Sequence, residues 1–386
     1  MRRIDRLIAA LVGVFCLDRL LKLLAVRHFF RRPPPAPPGV WPSVTMLQPI
    51  TRGVHGLERN LRSRLRLDYP APIQHLWICD AADGASQDVC AALKGEGVEI
   101  VLAAPGQGGL ASKIEKLQAA LPQATGEILC FVDDDVGLRP PALRELLPSL
   151  NEPQVGAVFG LACYTNWNNP WSSAMSAFVN ANVLLSYIPL TYLTTPYTIT
   201  GHCFALRRAV FAAVGGFEEM QGRIDDDHEL ARRLARHSLR SVQTPMIYEV
   251  DNYLPTLRAY LAQMQRWFML PRRLMLPQLS AHDKLVTTAG SLGTMLPSLA
   301  ALLAVVSRSR RAVAGLLALL GIAAAIHRHQ ERRYLGRASS LRQIGVALAV
   351  LVVAPLQILW GLLRGDEIQW RGQRLRIGPN GIVEVL

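Results

Sequence analysis

The chain has 386 residues, of which 50% are hydrophobic and 18% charged, and its formal net charge is +13. This length allows one large domain or two ordinary ones after membrane segments are subtracted. The positive charge comes largely from arginines beside apolar runs, which indicates anionic lipid headgroups as a partner and argues against nucleic acid. The six cysteines lack metal-type C-x-x-C spacing, so we expect reduced, buried thiols.

Several apolar runs are candidates for crossing a membrane. Residues 285–306 and 344–363 are long enough to span a hydrocarbon core of about 30 Å, and residues 312–326 are marginal. The N-terminal run 7–26 contains three charged residues, so it is equally an anchor or an interfacial helix. A cleaved signal peptide is disfavoured because the run leads into charged residues.

Between these runs the chain predicts a soluble α/β domain. Strands are expected at 44–47, 75–79, 98–102 and 128–132, with helices at 57–65 and 112–121. Strands that alternate with helices at these spacings are typical of a parallel sheet. The apolar stretch 178–193 contains polar residues and a proline, which favours an interfacial or core position over a membrane span.

Three consecutive aspartates, Asp133, Asp134 and Asp135, follow directly after the apolar run 128–132. A run of this kind is typical of a buried parallel strand, so the carboxylates lie at its C-terminal end, where open α/β sheets bind ligands. Clustered carboxylates repel one another unless a cation or hydrogen bonds compensate, which predicts a hard divalent metal such as Mg²⁺ or Mn²⁺. A solvated turn is the alternative.

Two features upstream of this cluster suit a nucleotide. Asp80 and Asp83 follow the second predicted strand, where a carboxylate can accept hydrogen bonds from a nucleobase or ribose; an ordinary Asp-Gly turn is the alternative. Lys113, past the glycine-rich loop 106–109, can pair with a phosphate or can be a solvated lysine on a helix face.

A second aspartate run, Asp225-Asp226-Asp227, precedes a predicted helix. One aspartate at a helix start can be a cap, but three exceed what capping needs. One of them can act as a general base if it comes within about 2.6–3.2 Å of an acceptor hydroxyl.

The segment 253–276 predicts a helix in the headgroup layer, and it carries Gln263, Arg266 and Trp267. Gln263 and Trp267 share a helix face at i, i+4, and Arg266 lies next to them. An arginine fork binds diphosphate oxygens and an indole gives a flat wall for a sugar, although Arg-Trp pairs also mark membrane interfaces.

Together these motifs resemble the inverting family-2-like glycosyltransferases of the GT-A fold, and most closely the ceramide glucosyltransferase family. The resemblance runs from about residue 40 to the C-terminus. The matching segments are 44–49, 60–61 with 67–70, Asp83, Lys113, Asp133, 215–217, Asp226-Asp227, Gln263-x-x-Arg266-Trp267 and the tail 370–376.

The resemblance implies roles for individual residues. It implies that Asp83 contacts the uridine, with Asp80 as a rival because the loop needs a one-residue shift. It implies that Asp133 and Asp135 hold the metal on the diphosphate, although Asp134 lies between them and the set of metal ligands stays open. It also implies that Asp227, next to Asp226, is the base. Gln263, Arg266 and Trp267 would close over donor and acceptor. His202 and Cys203 would face the acceptor, although a packed strand pair is the alternative.

The resemblance also implies a domain order and a location. It implies an N-terminal anchor or interfacial helix (1–30), a Pro-rich linker (31–40), a Rossmann-like GT-A catalytic domain with a mostly parallel sheet (41–250), an interfacial helix region (251–283), transmembrane helices (284–364) and a basic hairpin tail (365–386). The protein would be an integral protein of a bacterial-type inner membrane, with its catalytic domain facing the cytoplasm.

The expected reaction is the transfer of a sugar, glucose foremost, from a UDP-sugar to the hydroxyl of a membrane lipid such as ceramide. The sugar, the lipid and the oligomeric state stay open. One alternative is a polyprenyl-phosphate-directed or processive polysaccharide transferase, and another is a non-enzymatic membrane protein that binds metal or nucleotide.

Overall fold

A computed structural model divides the chain into two units, and it describes residues 2–104, 111–370, 373–378 and 381–386. The helical unit comprises the chain up to Arg32, Cys163–Thr194 and Asn252–Arg374; the sheet unit comprises Pro33–Ala162, Thr195–Asp251 and Leu375–Leu386. The predicted glycine-rich loop 106–109, residues 371–372 of the tail and residues 379–380 lie outside the described residues.

The elements follow one another in this order along the chain. The helices are α1 (Arg2–Arg31), α2 (Leu57–Arg64), α3 (Gly84–Leu93), α4 (Lys113–Ala120), α5 (Ala142–Leu146), α6 (Pro170–Leu190), α7 (Arg208–Ala213), α8 (Asp226–Arg236), α9 (Leu257–Leu270), α10 (Ala281–Leu292), α11 (Leu296–Ser307), α12 (Arg310–Gln330) and α13 (Leu341–Leu363). The strands are β1 (Val44–Pro49), β2 (Ile73–Asp80), β3 (Val98–Ala103), β4 (Ile128–Val132), β5 (Val136–Gly137), β6 (Val155–Tyr164), β7 (Cys203–Arg207), β8 (Arg240–Val250), β9 (Glu367–Trp370), β10 (Gln373–Ile377) and β11 (Val383–Val385).

Eight strands form one sheet in the order β3-β2-β1-β4-β7-β6-β8-β5. The first four are parallel, with Val44 opposite both Ile73 and Ile128. The pairs β4–β7, β6–β7 and β5–β8 are antiparallel. The predicted Rossmann-like α/β fold is confirmed, and its antiparallel half is an addition that the sequence did not predict. All six strands and helices predicted between residues 44 and 132 are present, whereas α3 was not predicted.

The β4 strand is buried along its whole length, which explains its uninterrupted apolar sequence. At its end Phe131 stacks on Phe204 of β7 with ring centroids 4.8 Å apart, and its ring meets that of Phe217 edge to face at 5.6 Å. Such aromatic pairs add about 0.5–1.5 kcal/mol beyond the burial of their area. The strand that carries the first aspartate run is therefore firmly packed.

Within the part of the chain that the structure describes, three helices are each long and apolar enough to cross a membrane: Pro170–Leu190, Arg310–Leu335 and Leu341–Leu363. The predicted span at 285–306 consists of two helices, Ala281–Leu292 and Leu296–Ser307, which are bent by 46° and together are long and apolar enough for one broken span or a re-entrant loop. Pro297 explains the break, because proline lacks the amide donor and clashes with the preceding turn of a continuous helix. The stretch 178–193, expected at an interface or in a core, lies largely within the first of the three long helices.

The helical unit has its own apolar core. Phe15 of α1 packs with Leu296 and Ala300 of α11 and with Leu319 of α12. Ala177 of α6 packs with Ala347 and Val350 of α13. Gly361 of α13 lies so close to α9 that a Cβ there would be 3.3 Å from the carbonyl oxygen of Met264.

Candidate active site

Two side chains of α2 hold the turn after β4 by hydrogen bonds to its backbone. The buried guanidinium of Arg64 donates to the carbonyl oxygens of Asp133 and Val136, the latter at 2.9 Å. Asn60 Nδ2 donates to the carbonyl oxygen of Asp134 at 3.0 Å. The Asp133 amide donates to His202 O at 2.9 Å. Backbone contacts on both sides therefore fix the direction in which this turn presents its carboxylates.

Lys113 brings the two aspartate runs together. Its Nζ lies 3.0 Å from Asp133 Oδ1 and 3.5 Å from Asp226 Oδ2, and it donates to Gly201 O at 3.3 Å. Burial alone would lower the pKa of Lys113, but the carboxylates of Asp133, Asp226 and Asp227 together raise it above its ordinary value. The lysine is thus a fixed cation between carboxylates from distant parts of the chain.

A capping box sets the start of the helix that carries Lys113. Ser112 Oγ accepts from the Glu115 amide at 3.2 Å, and Glu115 Oε2 accepts from the Ser112 amide at 2.6 Å. Because both first-turn donors are satisfied by side chains, the helix begins at Lys113. The S-x-x-E pattern at 112–115 is the sequence signal for this position.

Asp227 is a half-buried carboxyl at the start of α8. Its Oδ1 accepts from the His228 amide at 2.8 Å, and its Oδ2 lies against Gly201, where a Cβ would be only 2.9 Å away. Burial and the neighbouring Asp226 raise the pKa of Asp227 to about 7, while Lys113 acts in the opposite direction. A carboxyl in this state can exchange a proton near neutral pH.

Asp134 and Asp135 have different surroundings although they are adjacent. Asp134 is buried, and its Oδ2 accepts from the Thr51 amide, so it anchors the loop after β1. Burial and the charges of Asp134 and Asp133 raise the pKa of Asp135 to about 8, against the opposing effect of Arg64. Of the three aspartates, Asp134 therefore has a structural role, because its carboxylate holds the loop after β1.

Among the residues that the structure describes, no group of three or more His, Cys, Asp or Glu side chains could hold a metal ion by itself. Magnesium, however, is commonly bound by one or two carboxylates together with substrate phosphates. The oxygen ligands of Asp133 and Asp135 fit a hard cation of that kind, because a nearby positive charge would favour the ionised form of Asp135. The residues present therefore suit a cation that is shared with a diphosphate.

The rival acids Asp80 and Asp83 differ in what their oxygens contact. Asp80 Oδ2 lies 2.7 Å from Lys116 Nζ, both side chains being 2% exposed, and its Oδ1 accepts from the Ala111 amide at 2.8 Å. Asp83 is the N-cap of α3, and its Oδ1 accepts from the Ser86 amide at 3.4 Å. Asp83 Oδ2 is buried and has no hydrogen-bond partner among the described residues. Asp83 thus keeps an acceptor oxygen available, whereas Asp80 does not.

The residues predicted to face the acceptor lie at the β4–β7 junction. Cys203 is 1% exposed and is paired with Val132 in the antiparallel ladder, which corresponds to the packed strand pair that the sequence left as an alternative. His202 lies one residue outside this strand, with its ring 6.1 Å from that of Tyr248. All six cysteines are free, and those other than Cys16 are buried.

The Q-x-x-R-W residues belong to the helical unit. They lie on α9, which begins after the Thr256 cap, and all three are half-buried. Gln263 Oε1 accepts from Asn252 Nδ2 at 3.4 Å, and the Trp267 ring meets Tyr164 edge to face at 6.2 Å. The helical placement of the motif agrees with the prediction.

Three supporting residues were not predicted: Arg64, Lys116 and Gly201. Arg64 has a usable signal, because it shares the buried face of α2 with Leu57, Asn60 and Leu61 at helical spacing. A charged residue at a core position needs a specific partner. Lys116 and Gly201 follow no pattern that points to their contacts.

Comparisons with known proteins agree with this architecture. The family model described as Glycosyl transferase family 21 matches residues 7–383. The O-antigen biosynthesis protein RfbC of Myxococcus xanthus is 29% identical over an alignment of 146 residues, and the match covers 32% of this chain and only 11% of that protein. The mannosyltransferase PcManGT from Pyrobaculum calidifontis, solved in complex with GDP-Man and Mn²⁺, has a TM-score of 0.54 at 20% identity, covering 92% of this chain and 99% of that one.

The structural likeness shows a shared fold, and fold and family together define a glycosyltransferase. The chain belongs to glycosyl transferase family 21.

Proposed function

We propose that this chain is a membrane-bound inverting transferase of the ceramide glucosyltransferase type, which moves glucose from UDP-glucose to the hydroxyl of a sphingolipid or similar lipid. The observation that carries the proposal is the position of Lys113. Its ammonium group pairs with Asp133 of the first aspartate run and Asp226 of the second, beside the carboxyl of Asp227. Family membership supports the class of reaction.

In the proposed step Asp227 is the general base. The lipid hydroxyl gives its proton to Asp227 as its oxygen forms a bond to the anomeric carbon of the sugar. The bond from that carbon to the diphosphate breaks, and UDP leaves with the electron pair. A single displacement inverts the anomeric centre. A pKa of about 7 suits this role, because a base is most effective when its pKa lies near the working pH.

The donor would be held at the ends of β2 and β4. The available oxygen of Asp83 would accept a hydrogen bond from the uridine. Asp133 and Asp135 would hold a divalent cation, Mg²⁺ or Mn²⁺, which supplies positive charge beside the diphosphate when bound. Lys113 would shift its contact from a carboxylate to a phosphate oxygen, and its present contacts with oxygen acceptors support that role.

The remaining parts of the proposal concern the acceptor side. Gln263, Arg266 and Trp267 would close over donor and acceptor, with the Arg266 guanidinium on the diphosphate and the indole against the sugar. Three apolar helices of sufficient length support a membrane setting, and we propose that the catalytic domain faces the cytoplasm. His202 is the proposed contact to the acceptor headgroup.

A second candidate is a transferase that acts in polysaccharide assembly on a polyprenyl phosphate or a growing polymer. The similarity to a protein named for O-antigen biosynthesis supports this second candidate, although the match spans 11% of that protein. The two candidates differ in product, a single sugar on a lipid against a polymer or a polyprenyl-linked sugar.

The deciding experiment incubates the purified, detergent-solubilised chain with Mn²⁺, a panel of UDP- and GDP-sugars and a membrane lipid extract, and identifies the products by mass spectrometry. We expect one hexose added to a ceramide-type lipid, together with metal-dependent release of UDP. Polymeric or polyprenyl-linked products would favour the second candidate. No nucleotide release with any donor and lipid would contradict both and would favour a non-enzymatic binding protein.

A further inference from the structure

The last residues of the chain contact the loop that precedes the second aspartate run. These residues, 375–378 and 381–386, form the C-terminal hairpin and belong to the sheet unit, although they follow the last helix of the helical unit in the sequence. Ile377 of β10 is fully buried. Ile382, directly before β11, forms an antiparallel bridge with Arg223. The reaction proposed above assigns no role to this contact.

Two backbone hydrogen bonds lie on either side of this bridge. The Val383 amide donates to Gly222 O at 2.8 Å, and the Ile224 amide donates to Gly381 O at 3.3 Å. Backbone bonds of this kind do not depend on long, mobile side chains. The C-terminal hairpin therefore holds the loop 222–225 along its length, immediately before the residues that carry the aspartates.

Gly381 lies directly against a buried ion pair of this loop. Asp225 is 2% exposed, and its two oxygens accept from Arg223 Nε at 3.1 Å and from Arg223 Nη2 at 2.9 Å. A Cβ at Gly381 would lie 2.5 Å from Asp225 Oδ1 and 3.2 Å from Arg223 Nη2. The φ angle of Gly381 is +77°, which also favours glycine. Space and backbone conformation thus both require the absence of a side chain here.

The helix α8 lacks the usual side-chain cap at its start. Asp225 occupies the N-cap position, but its side chain makes no capping hydrogen bond with the described residues, because both oxygens accept from Arg223. An N-cap aspartate ordinarily accepts from the amides of the first turn. The start of α8 therefore depends on how the preceding loop is held. Asp226 and Asp227 are the first two residues of this helix, so they move with the loop.

We propose that the C-terminal hairpin positions the general base: Gly381 and Val383 hold the loop 222–225, and this loop fixes the start of α8 and the carboxyl of Asp227. The inference rests on the proposed role of Asp227. Gly381 and Val383 are positioning residues, because they act through the loop and not on donor or acceptor. The proposed donor contacts lie at the ends of β2 and β4, so loss of the hairpin should affect turnover more than donor binding.

Two variants test this inference by kinetics. Gly381→Ala places a methyl group against Asp225, and a chain that ends at residue 380 loses both backbone bonds to the loop. Turnover with UDP-glucose and ceramide should fall about tenfold in Gly381→Ala and further in the truncated chain, because a small displacement of a catalytic group is costly. The KM for UDP-glucose should change by less than about twofold.

Hydrogen exchange of backbone amides provides a readout that needs no activity. We expect the peptide 222–230 to exchange at least about tenfold faster in both variants than in the wild type, since the loop and the first turn of α8 open more often. The peptide 128–136, which carries the first aspartate run, should keep its wild-type rate. Mass spectrometry of the full chain in detergent measures both peptides in one experiment.

Gly53→Ala is the matched control for Gly381→Ala. Gly53 has a φ angle of +70°, and a Cβ there meets no atom within 4 Å. The variant therefore introduces similar backbone strain without a clash against Asp225, and exchange of the peptide 222–230 should stay at the wild-type rate. Thermal unfolding in the same detergent checks that each variant is folded. If the truncated chain does not fold, Gly381→Ala decides the matter.

Three outcomes would overturn the inference. Wild-type exchange of the peptide 222–230 in both folded variants would show that the hairpin does not hold this loop. Faster exchange with unchanged turnover would show that the loop does not position Asp227. Equal losses of turnover and of donor affinity would assign the hairpin a general structural role. If the wild type transfers no sugar, the proposed function fails, whereas the exchange rates still support or overturn the hold of the hairpin on this loop.

Discussion

The two triple-aspartate runs look alike in the sequence, and each divides into the same three kinds of residue in the structure. In each run one aspartate is buried in a structural contact: Asp134 with the Thr51 amide, and Asp225 with Arg223 at 2.9 Å. One pairs with Lys113: Asp133 in the first run and Asp226 in the second. The third has a raised pKa, about 8 for Asp135 and about 7 for Asp227.

The runs differ in the element that presents them. The first follows a strand, and burial together with the charges of Asp134 and Asp133 raises the pKa of Asp135. The second starts a helix, where the amide of His228 donates to Asp227 and the helix dipole favours negative charge. The helix start therefore opposes the rise in the pKa of Asp227. A run of acids is therefore a set of separate sites, of which only some are available for chemistry.

The largest effect is expected for Asp227→Asn, which tests whether the second run supplies the base. Turnover should fall by about 10²–10⁴-fold, the usual contribution of general-base assistance, while nucleotide-sugar binding persists. Turnover and donor binding are measured separately, by UDP release and by calorimetry. The exposed Asp88 provides the matched control, since Asp88→Asn makes the same chemical change at a side chain outside both aspartate runs. Unchanged turnover in Asp227→Asn would show that Asp227 is not the general base.

The next effect is expected for Lys113→Met, which breaks the link between the two runs. Wild-type turnover should decline as pH falls below about 7, because protonated Asp227 cannot accept a proton. Lys113 lowers the pKa of Asp227, so its removal should move this decline to higher pH as well as weaken donor binding. The pH profile of turnover measures the shift. A profile that keeps its midpoint would show that Lys113 and Asp227 do not interact.

The positions of the acids were predictable, whereas their partners were not. Three aspartates follow the apolar run 128–132, and a run of that length and composition predicts a buried strand with the acids at its carboxyl end, because the pattern is read directly from the sequence. The partition within each run depends on Thr51 and Lys113, which approach only after folding, and on Arg223, which lies two residues before Asp225. The helix α3 was not predicted, since its first residues, Gly84-Ala85-Ser86, carry a weak helical signal; Asp83 caps it nonetheless.

A smaller effect is expected for Gly201→Ala, which shifts Asp227 without changing its chemistry. A Cβ at residue 201 would lie 2.9 Å from Asp227 Oδ2, closer than real Cβ contacts allow, so the carboxyl has to move. A displacement of part of an ångström should lower turnover by about tenfold with little change in stability. Gly95→Ala is the control, because a Cβ there meets no atom within 4 Å. Equal turnover in the two variants would mean that the contact between Gly201 and Asp227 does not position the base.

The smallest effect concerns Asp135 and is seen in stability. Its folded-state pKa of about 8 lies above the ordinary value of 3.8, so the folded protein holds a proton that the unfolded chain has lost at neutral pH. The stability of the metal-free protein should therefore decline as pH rises from about 4 to about 8. Asp135→Asn removes one titrating group and should reduce this dependence of the unfolding temperature, leaving the part that the raised pKa of Asp227 contributes below about pH 7, while Asp88→Asn should leave it unchanged. Addition of Mn²⁺ with UDP should stabilise the wild type most at the upper end of this range, and Asp135→Asn less, because the cation takes the place of the proton. If the unfolding temperature of Asp135→Asn depends on pH as that of the wild type does, Asp135 ionises at its ordinary pKa in the folded protein. The first aspartate run then has no residue that corresponds to Asp227.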